Sequence, residues 1–265
     1  MLRQIVTKLT KNNLYKIPAR TLFLGKRMIY MPQCHSTNEI AAQILDQSSV
    51  AEGTVVITDR QFEGKGQRGN SWITEDFMNL TFSIVLKPSF LSLGNRFYLN
   101  IVTALGVRKA AGLLLKARVL IKWPNDIMTE EGKLSGILIE NQLRRQTIAH
   151  SVAGIGLNVN QLEFTIPTAT SLAAVSGNQF DLAQVLETLL ECIEGYYLQL
   201  RQGALEQLKE SYEASLYWKD ELHTFAAGNE KFQGTIRGVD SDGQLHVESD
   251  IGPRRFGIKQ VRYIG

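Results

Sequence analysis

The chain has 265 residues, 44% of them hydrophobic and 21% charged, which supplies one sizeable core and a small second one and argues against disorder. A formal net charge of +3 and short apolar runs, such as Ala110 to Leu115, argue against a basic nucleic-acid-binding chain and against a membrane-spanning one. Two cysteines, Cys34 and Cys192, lack CxxC spacing, and His35, His150, His223 and His246 lack ligand spacing. No disulfide and no fixed protein metal site is therefore expected, and a reducing, cytoplasmic location fits.

Charge is uneven along the chain. Arg3, Lys8, Lys11, Lys16, Arg20, Lys26 and Arg27 precede the first acidic residue, Glu39. Residues 1–29 read as a basic lead-in segment rather than a transit peptide, since serine and a clean amphipathic period are missing. Ser36-Thr37-Asn38-Glu39 then reads as a capping box, and the spacing predicts a helix from Thr37 to Asp46. The β-branched run Thr54 to Thr58 predicts a buried strand. Gln61 to Asn70 is a polar, glycine-rich loop. Leu80 to Leu86 alternates as a strand, closed by Pro88.

Phe97 to Leu115 has helical apolar spacing and predicts a core helix, with Gly106 marking a packing flaw or a close helix contact. Val119 to Trp123 predicts a short strand. Glu131-Gly132 predicts a hairpin turn before a strand from Leu134 to Glu140, and Thr147 to Leu157 predicts a long strand. Leu182 to Leu200 and Leu205 to Leu216 predict two helices. From Lys219 onward short alternating strands are punctuated by glycines, with Asp242-Gly243 a hairpin signal. The expected fold class is α+β: helices on a mixed, largely antiparallel sheet over residues 30–218, then a small β-barrel over residues 219–265.

Four segments carry chemistry. Gly64-Lys65-Gly66-Gln67-Arg68-Gly69 combines glycines, which let backbone approach an anion, with two cations. It is neither a Walker A loop nor a GxGxxG turn, and alone it reads equally as a mobile hairpin loop. Lys122-Trp123-Pro124-Asn125-Asp126 holds a lysine, an amide and a carboxylate close together at a strand end; alone it is a strand and a turn with Trp123 in the core. Gly132-Lys133-Leu134-Ser135-Gly136 sets a lysine at a strand mouth. Gly154-Ile155-Gly156-Leu157-Asn158 puts two glycines in a strand, which suits close approach by a ligand or another backbone.

In this order, together with Ser36-Thr37-Asn38 and Trp72, these segments resemble the biotin–protein ligase family from about Tyr30 to Asn160, and more loosely through the C-terminal part. The resemblance implies a biotin/lipoate ligase-like catalytic domain followed by an SH3-like barrel. It implies a biotin–[biotin carboxyl carrier protein] ligase that uses ATP and Mg²⁺, with Lys133, Lys122 and Asp126 as catalytic residues. It implies biotin contacts at Ser36, Thr37, Asn38, Gln61, Gly66 and Lys133. The adenylate loop would comprise Gly64, Lys65, Gly66, Gln67, Arg68, Gly69 and Trp72. Asn125, Gly154, Gly156 and Asn158 would face the nucleotide. Family loops are commonly richer in arginine than this one, where Lys65 and Gln67 stand.

The implied partner is a carboxylase carrier domain, and the resemblance leaves a homodimer through sheet edges possible. About 30 residues precede the catalytic domain, short for a winged helix-turn-helix, so DNA binding and repression are not expected. The alternatives are a lipoate or octanoate ligase or transferase of the same fold, a DNA-binding biotin sensor, and an inactive binding module.

Overall fold

The computed structural model describes residue 15 and residues 18–47, 49–145 and 147–264. Among the described residues, twelve strands and five α-helices follow one another as β1 (Met28–Cys34), α1 (Thr37–Gln47), β2 (Val55–Gln61), β3 (Leu80–Leu86), α2 (Tyr98–Leu115), β4 (Leu120–Lys122), β5 (Asp126–Met128), β6 (Lys133–Arg144), β7 (Thr147–Leu157), α3 (Leu172–Ser176), α4 (Leu182–Arg201), α5 (Leu205–Glu213), β8 (Leu222–Ala227), β9 (Glu230–Val239), β10 (Leu245–Ser249), β11 (Gly252–Phe256) and β12 (Arg262–Ile264). The first seven strands form one sheet in the order β1-β2-β3-β7-β6-β5-β4, and the last five form a second, in the order β11-β10-β9-β8-β12. Only β1 and β2 pair in parallel among the described strands, so the sheet is mixed and largely antiparallel, as expected.

Alternation along β3 shows how the large sheet is used. Leu80, Phe82, Ile84 and Leu86 join Ile155, Leu157 and the buried faces of α2 and α4 in the main core. Thr81, Ser83 and Val85 point to the other face, where Val85 packs with Val56, Val152 and with Ile40 and Ala41 of α1. One face is therefore a dry core. The other is half covered by α1 and leaves a floor for a cavity.

The segment Leu93–Leu115, which contains α2, is apolar and long enough by length and composition to cross a membrane, contrary to the expectation from the apolar runs alone. It is the central core helix: Leu99, Val102, Ala104, Val107, Ala110 and Ala111 are fully buried. Gly106 lets α4 approach; a Cβ there would lie 2.6 Å from Ile193 Cα.

The boundary expected at residue 30 falls inside β1. Of the basic lead-in, residues 1–14, 16 and 17 lie outside the described residues. The rest is not a solvated arm. Leu24 is fully buried, and the buried Glu194 carboxylate accepts the backbone N–H groups of Leu22, Phe23 and Leu24. The helix expected to reach Leu216 ends at Glu213, because the backbone beyond it turns to bond β4: Ile121 N–H donates to Ser215 and Tyr217 N–H donates to Ile121.

The two sheets meet at Trp123, whose Nε1–H donates to the Gly243 carbonyl at 3.0 Å in the β9–β10 turn. Gly243, at φ +84°, lies against the Phe97 ring. Glu213 accepts the Val239 N–H at 2.8 Å.

Two glycines in the packed helices should respond oppositely to alanine. Gly106→Ala drives a methyl into α4 and should cost about 1–3 kcal/mol in urea unfolding. Gly195→Ala meets nothing within 4 Å and should stabilise by about 0.5–1 kcal/mol through helix propensity. Equal effects from the two substitutions would contradict the packing described.

Candidate active site

The open face of the large sheet carries a cavity of about 910 Å³. Its floor is built from register. Gly154 lies opposite Ser83 on β3 and Leu138 on β6; Gly156 lies opposite Thr81 and Gly136. All six project to one face, and the absence of side chains at three of them opens the space. Asn38 lies directly on Gly154, and the Trp72 indole lies directly on Gly156 and against Gly136. The glycines singled out in the sequence thus admit close approach, but by Asn38 and Trp72 of the chain itself.

One end of the cavity is lined chiefly by neutral polar side chains. Thr37 and Asn38 open α1 and are buried, as is Ser36. Gln61 Oε1 accepts the Thr37 N–H at 2.8 Å. The Ser83 hydroxyl is 2.7 Å from Thr37 Oγ1 and 2.6 Å from Asn38 Oδ1. Asn38 Nδ2 donates to Glu140 Oε2 at 2.7 Å. The expected capping box is not what occupies Glu39: its carboxylate pairs with His35 at 3.0 Å and with Lys65 of the glycine-rich loop. That pair holds the Glu39 carboxyl below its ordinary range and the exposed Lys65 ammonium above its own, through their mutual hydrogen bond first.

The other end is cationic. Between Ile127 and Met128 the β5–β6 register slips, so that Met128 faces Lys133 rather than Leu134. The bulge turns Lys133 to the face that carries Asp126 and Gly136. There Lys133 Nζ lies 2.7 Å from Asp126 Oδ1 and 5.7 Å from the centre of the Trp72 ring. The Lys133 backbone is tied at both ends, its N–H to Thr168 at 2.8 Å and its carbonyl to the Thr170 N–H at 3.0 Å. Lys122, one pair along from Ile121–Ile127, lines the same cavity opposite Asp126 in register. Burial pulls the Lys122 ammonium below its ordinary range; Asp126 opposes that pull and Lys133 adds to it.

The loop from Gly64 to Trp72 closes on itself. Trp72 N–H donates to Gly64 at 2.9 Å, Gly66 N–H donates to Asn70 at 2.7 Å, and Gln67–Gly69 form a 3₁₀ turn. Lys65, Gly66, Gln67, Gly69 and Trp72 line the cavity, whereas Gly64 is buried beneath the loop against the Trp72 carbonyl. The Arg68 side chain lies outside the described residues. Asn125 lines the cavity but its Nδ2 is bonded to the Ile137 carbonyl. Asn158 stands apart from the others: it lines a neighbouring cavity of about 560 Å³ that shares Trp72 and Lys133. Its amide donates to Thr170 at 2.9 Å, so it ties down the segment that holds Lys133.

Sequence reasoning missed Ser83, Glu140 and Tyr263. A serine at a buried position of the apolar strand LTFSIVL was a readable signal. Glu140 and Tyr263 carry none until the fold brings them to the site.

The model of the biotin/lipoate A/B protein ligase family matches residues 30–158. The chain is 30% identical over 249 residues to the bifunctional ligase/repressor BirA of Bacillus spizizenii, covering 89% of this chain and 74% of that protein. It is 28% identical to the biotin–[acetyl-CoA-carboxylase] ligase of Mycobacterium tuberculosis, over 86% and 85% of the two chains. Its fold superposes on the biotin protein ligase of Aquifex aeolicus in complex with biotin and ATP with a TM-score of 0.75, at 27% identity, over 90% of this chain and all of that one. The chain belongs to the biotin/lipoate A/B protein ligase family.

The floor glycines make a test of the site's construction. Gly154→Ala displaces Asn38 from a buried hydrogen-bond network and should cost about 1–3 kcal/mol. Gly156→Ala meets only a side chain on a loop. It should cost less, while acrylamide quenching of tryptophan fluorescence rises as Trp72 leaves the sheet. Unchanged quenching in Gly156→Ala would mean that the indole does not rest there.

Proposed function

We propose that the chain is an ATP-dependent biotin–protein ligase that forms biotinyl-5'-AMP and transfers biotin to a lysine of a carboxylase carrier domain. The observation that carries this is one cavity with two unlike ends: uncharged donors and acceptors at Ser36, Thr37, Asn38 and Gln61, and Lys122 and Lys133 around Asp126. The two ends stand roughly 7 Å apart along β6 and β7, the span of two strand residues. A ureido ring needs both donors and acceptors without charge, which hydroxyl and amide groups supply. The carboxylate at the end of biotin's aliphatic arm and the nucleotide phosphates suit the cationic end.

In the first step a biotin carboxylate oxygen bonds to the α-phosphorus. The bond from that phosphorus to the oxygen bridging to the β-phosphate breaks, and pyrophosphate leaves. Negative charge gathers on phosphoryl oxygens, where fixed cations at Lys133 and Lys122 lower the barrier. In the second step the neutral amine of the carrier lysine attacks the acyl carbon, an amide forms, and the bond to AMP breaks. Asp126 is the carboxylate placed to orient that amine or take its proton. Among the described residues no group of three or more His, Cys, Asp or Glu side chains could hold a metal ion, and Asp126 is engaged by Lys133. Mg²⁺ is assigned to ATP as its counter-ion, since it is commonly held by one or two carboxylates together with substrate phosphates.

Lipoate or octanoate would set an aliphatic chain against the polar groups of Thr37, Asn38 and Gln61, which would lose hydration with no ligand hydrogen bond in return, and this disfavours such a substrate. A cytoplasmic setting is proposed on the two free thiols, Cys34 and Cys192.

Incubation with biotin, ATP, Mg²⁺ and a purified carrier domain should raise the carrier's mass by one biotin, and neither octanoate nor lipoate should replace biotin. Lys133→Ala should slow the reaction by about 10²–10³. Octanoyl or lipoyl carrier as the main product would sink the biotin reading. Lys122 gives a pH test. Its depressed pKa means that the free enzyme loses this cation below the ordinary lysine range, so kcat/KM for ATP should fall as pH rises through it. Lys122→Arg should abolish that fall; its persistence would assign the titration elsewhere.

A further inference from the structure

The C-terminal module reaches the catalytic cavity through Tyr263. Tyr263 lies on β12 opposite Phe225 of β8, and its ring is wedged against Trp218, at 5.3 Å between centres, and Phe225, at 5.4 Å. It lines the cavity beside Lys122, Asp126 and Lys133. The Lys122 ammonium sits over its ring, 4.9 Å from the centre. Its hydroxyl oxygen is shielded from solvent and has no hydrogen-bond partner among the described residues. Buried hydroxyls almost always find partners, so one left open where a cavity is lined with cations marks a place for a ligand oxygen. Burial, and then Asp126, push the phenol far above its ordinary range, so it keeps its proton and remains a donor.

We propose that Tyr263 is a nucleotide-binding and positioning residue: its ring holds the Lys122 ammonium in place, and its hydroxyl donates a hydrogen bond to a phosphoryl oxygen of the nucleoside triphosphate. This rests on the ATP-dependent reading above. The acceptor is assigned to the nucleotide because Tyr263 stands with the lysines, where anionic oxygens belong, and not with the uncharged groups at Thr37 and Asn38. A face of the ring under an ammonium ion and a hydroxyl free for an anion are complementary uses of one phenol.

Tyr263→Phe removes the hydroxyl and keeps the ring; Tyr263→Leu removes both. Pyrophosphate release should be followed against ATP and against biotin, and transfer to the carrier should be followed from supplied biotinyl-adenylate. The Phe variant should show a KM for ATP raised on the order of tenfold, an unchanged KM for biotin, and unchanged transfer from the supplied adenylate. The Leu variant should raise the KM for ATP further. A Phe variant with wild-type KM for ATP overturns the proposal while leaving the ligase reading intact. Loss of transfer from the adenylate together with the KM effect would mean structural damage, and would overturn it too. A wild-type enzyme that releases no pyrophosphate from ATP and biotin overturns the ATP-dependent reading and this one with it.

Discussion

Lys122 and Lys133 share the cationic end of the cavity, and a single carboxylate, Asp126, acts on both. It is 2.7 Å from the Lys133 amine, and it counters the burial that lowers the Lys122 pKa. Without it the two ammonium groups would repel in a partly desolvated space, and the Lys122 pKa would be pulled further down. The surrounding architecture serves this arrangement. A β4–β5 hairpin sets Lys122 opposite Asp126, and the bulge at Ile127/Met128 turns Lys133 toward the same carboxylate. The Asn125 amide, bonded to Ile137, and the backbone bonds between Lys133 and residues 168–170 lock the strands that carry the three charges.

The same hairpin binds the molecule together. Trp123 lies between Lys122 and Asp126 in sequence and donates to Gly243 in the β9–β10 turn, while Tyr212 donates to Pro124 at 3.1 Å. A five-residue string therefore places two charged groups in the cavity and anchors the C-terminal module and α5 behind it. This coupling explains how a residue as far along the chain as Tyr263 comes to lie on Lys122.

Elements with a strong period were legible. Leu80 to Leu86 and Thr147 to Leu157 agree at both ends, because alternation and β-branched residues there report a sheet covered on one or both faces. β1 was not recognised, since MIYMPQC contains Pro32 and Gln33 and shows weak alternation; it survives as an edge strand, where proline is tolerated. β5 hid inside what reads as a turn, and its bulge depends on tertiary pairing. At the site, Lys122, Asp126, Lys133 and the floor glycines were visible through motif spacing. Asn158 shared that spacing but faces the second cavity, because its amide satisfies the Thr170 carbonyl. Glu140 and Tyr263 could not be read, since their relevance is created by register and by the docking of one sheet on another.

The glycine-rich loop looks in sequence like an electrostatic device, yet its position rests on other forces. The Lys65–Glu39 pair is exposed, and exposed ion pairs contribute little once screening and side-chain entropy are counted. What closes the loop is backbone: Gly64 with Trp72, Gly66 with Asn70, and the Lys65–Ser71 bridge. What seats it is the Trp72 indole on Gly156, whose buried N–H finds no partner among the described residues. That seat is apolar in contact and unsatisfied in hydrogen bonding, so it holds the loop without committing its polar group. A ligand that offered the indole an acceptor would add to the contact already present. The arginine-poor loop can then still respond to a ligand, because its anchor is a ring rather than a charge.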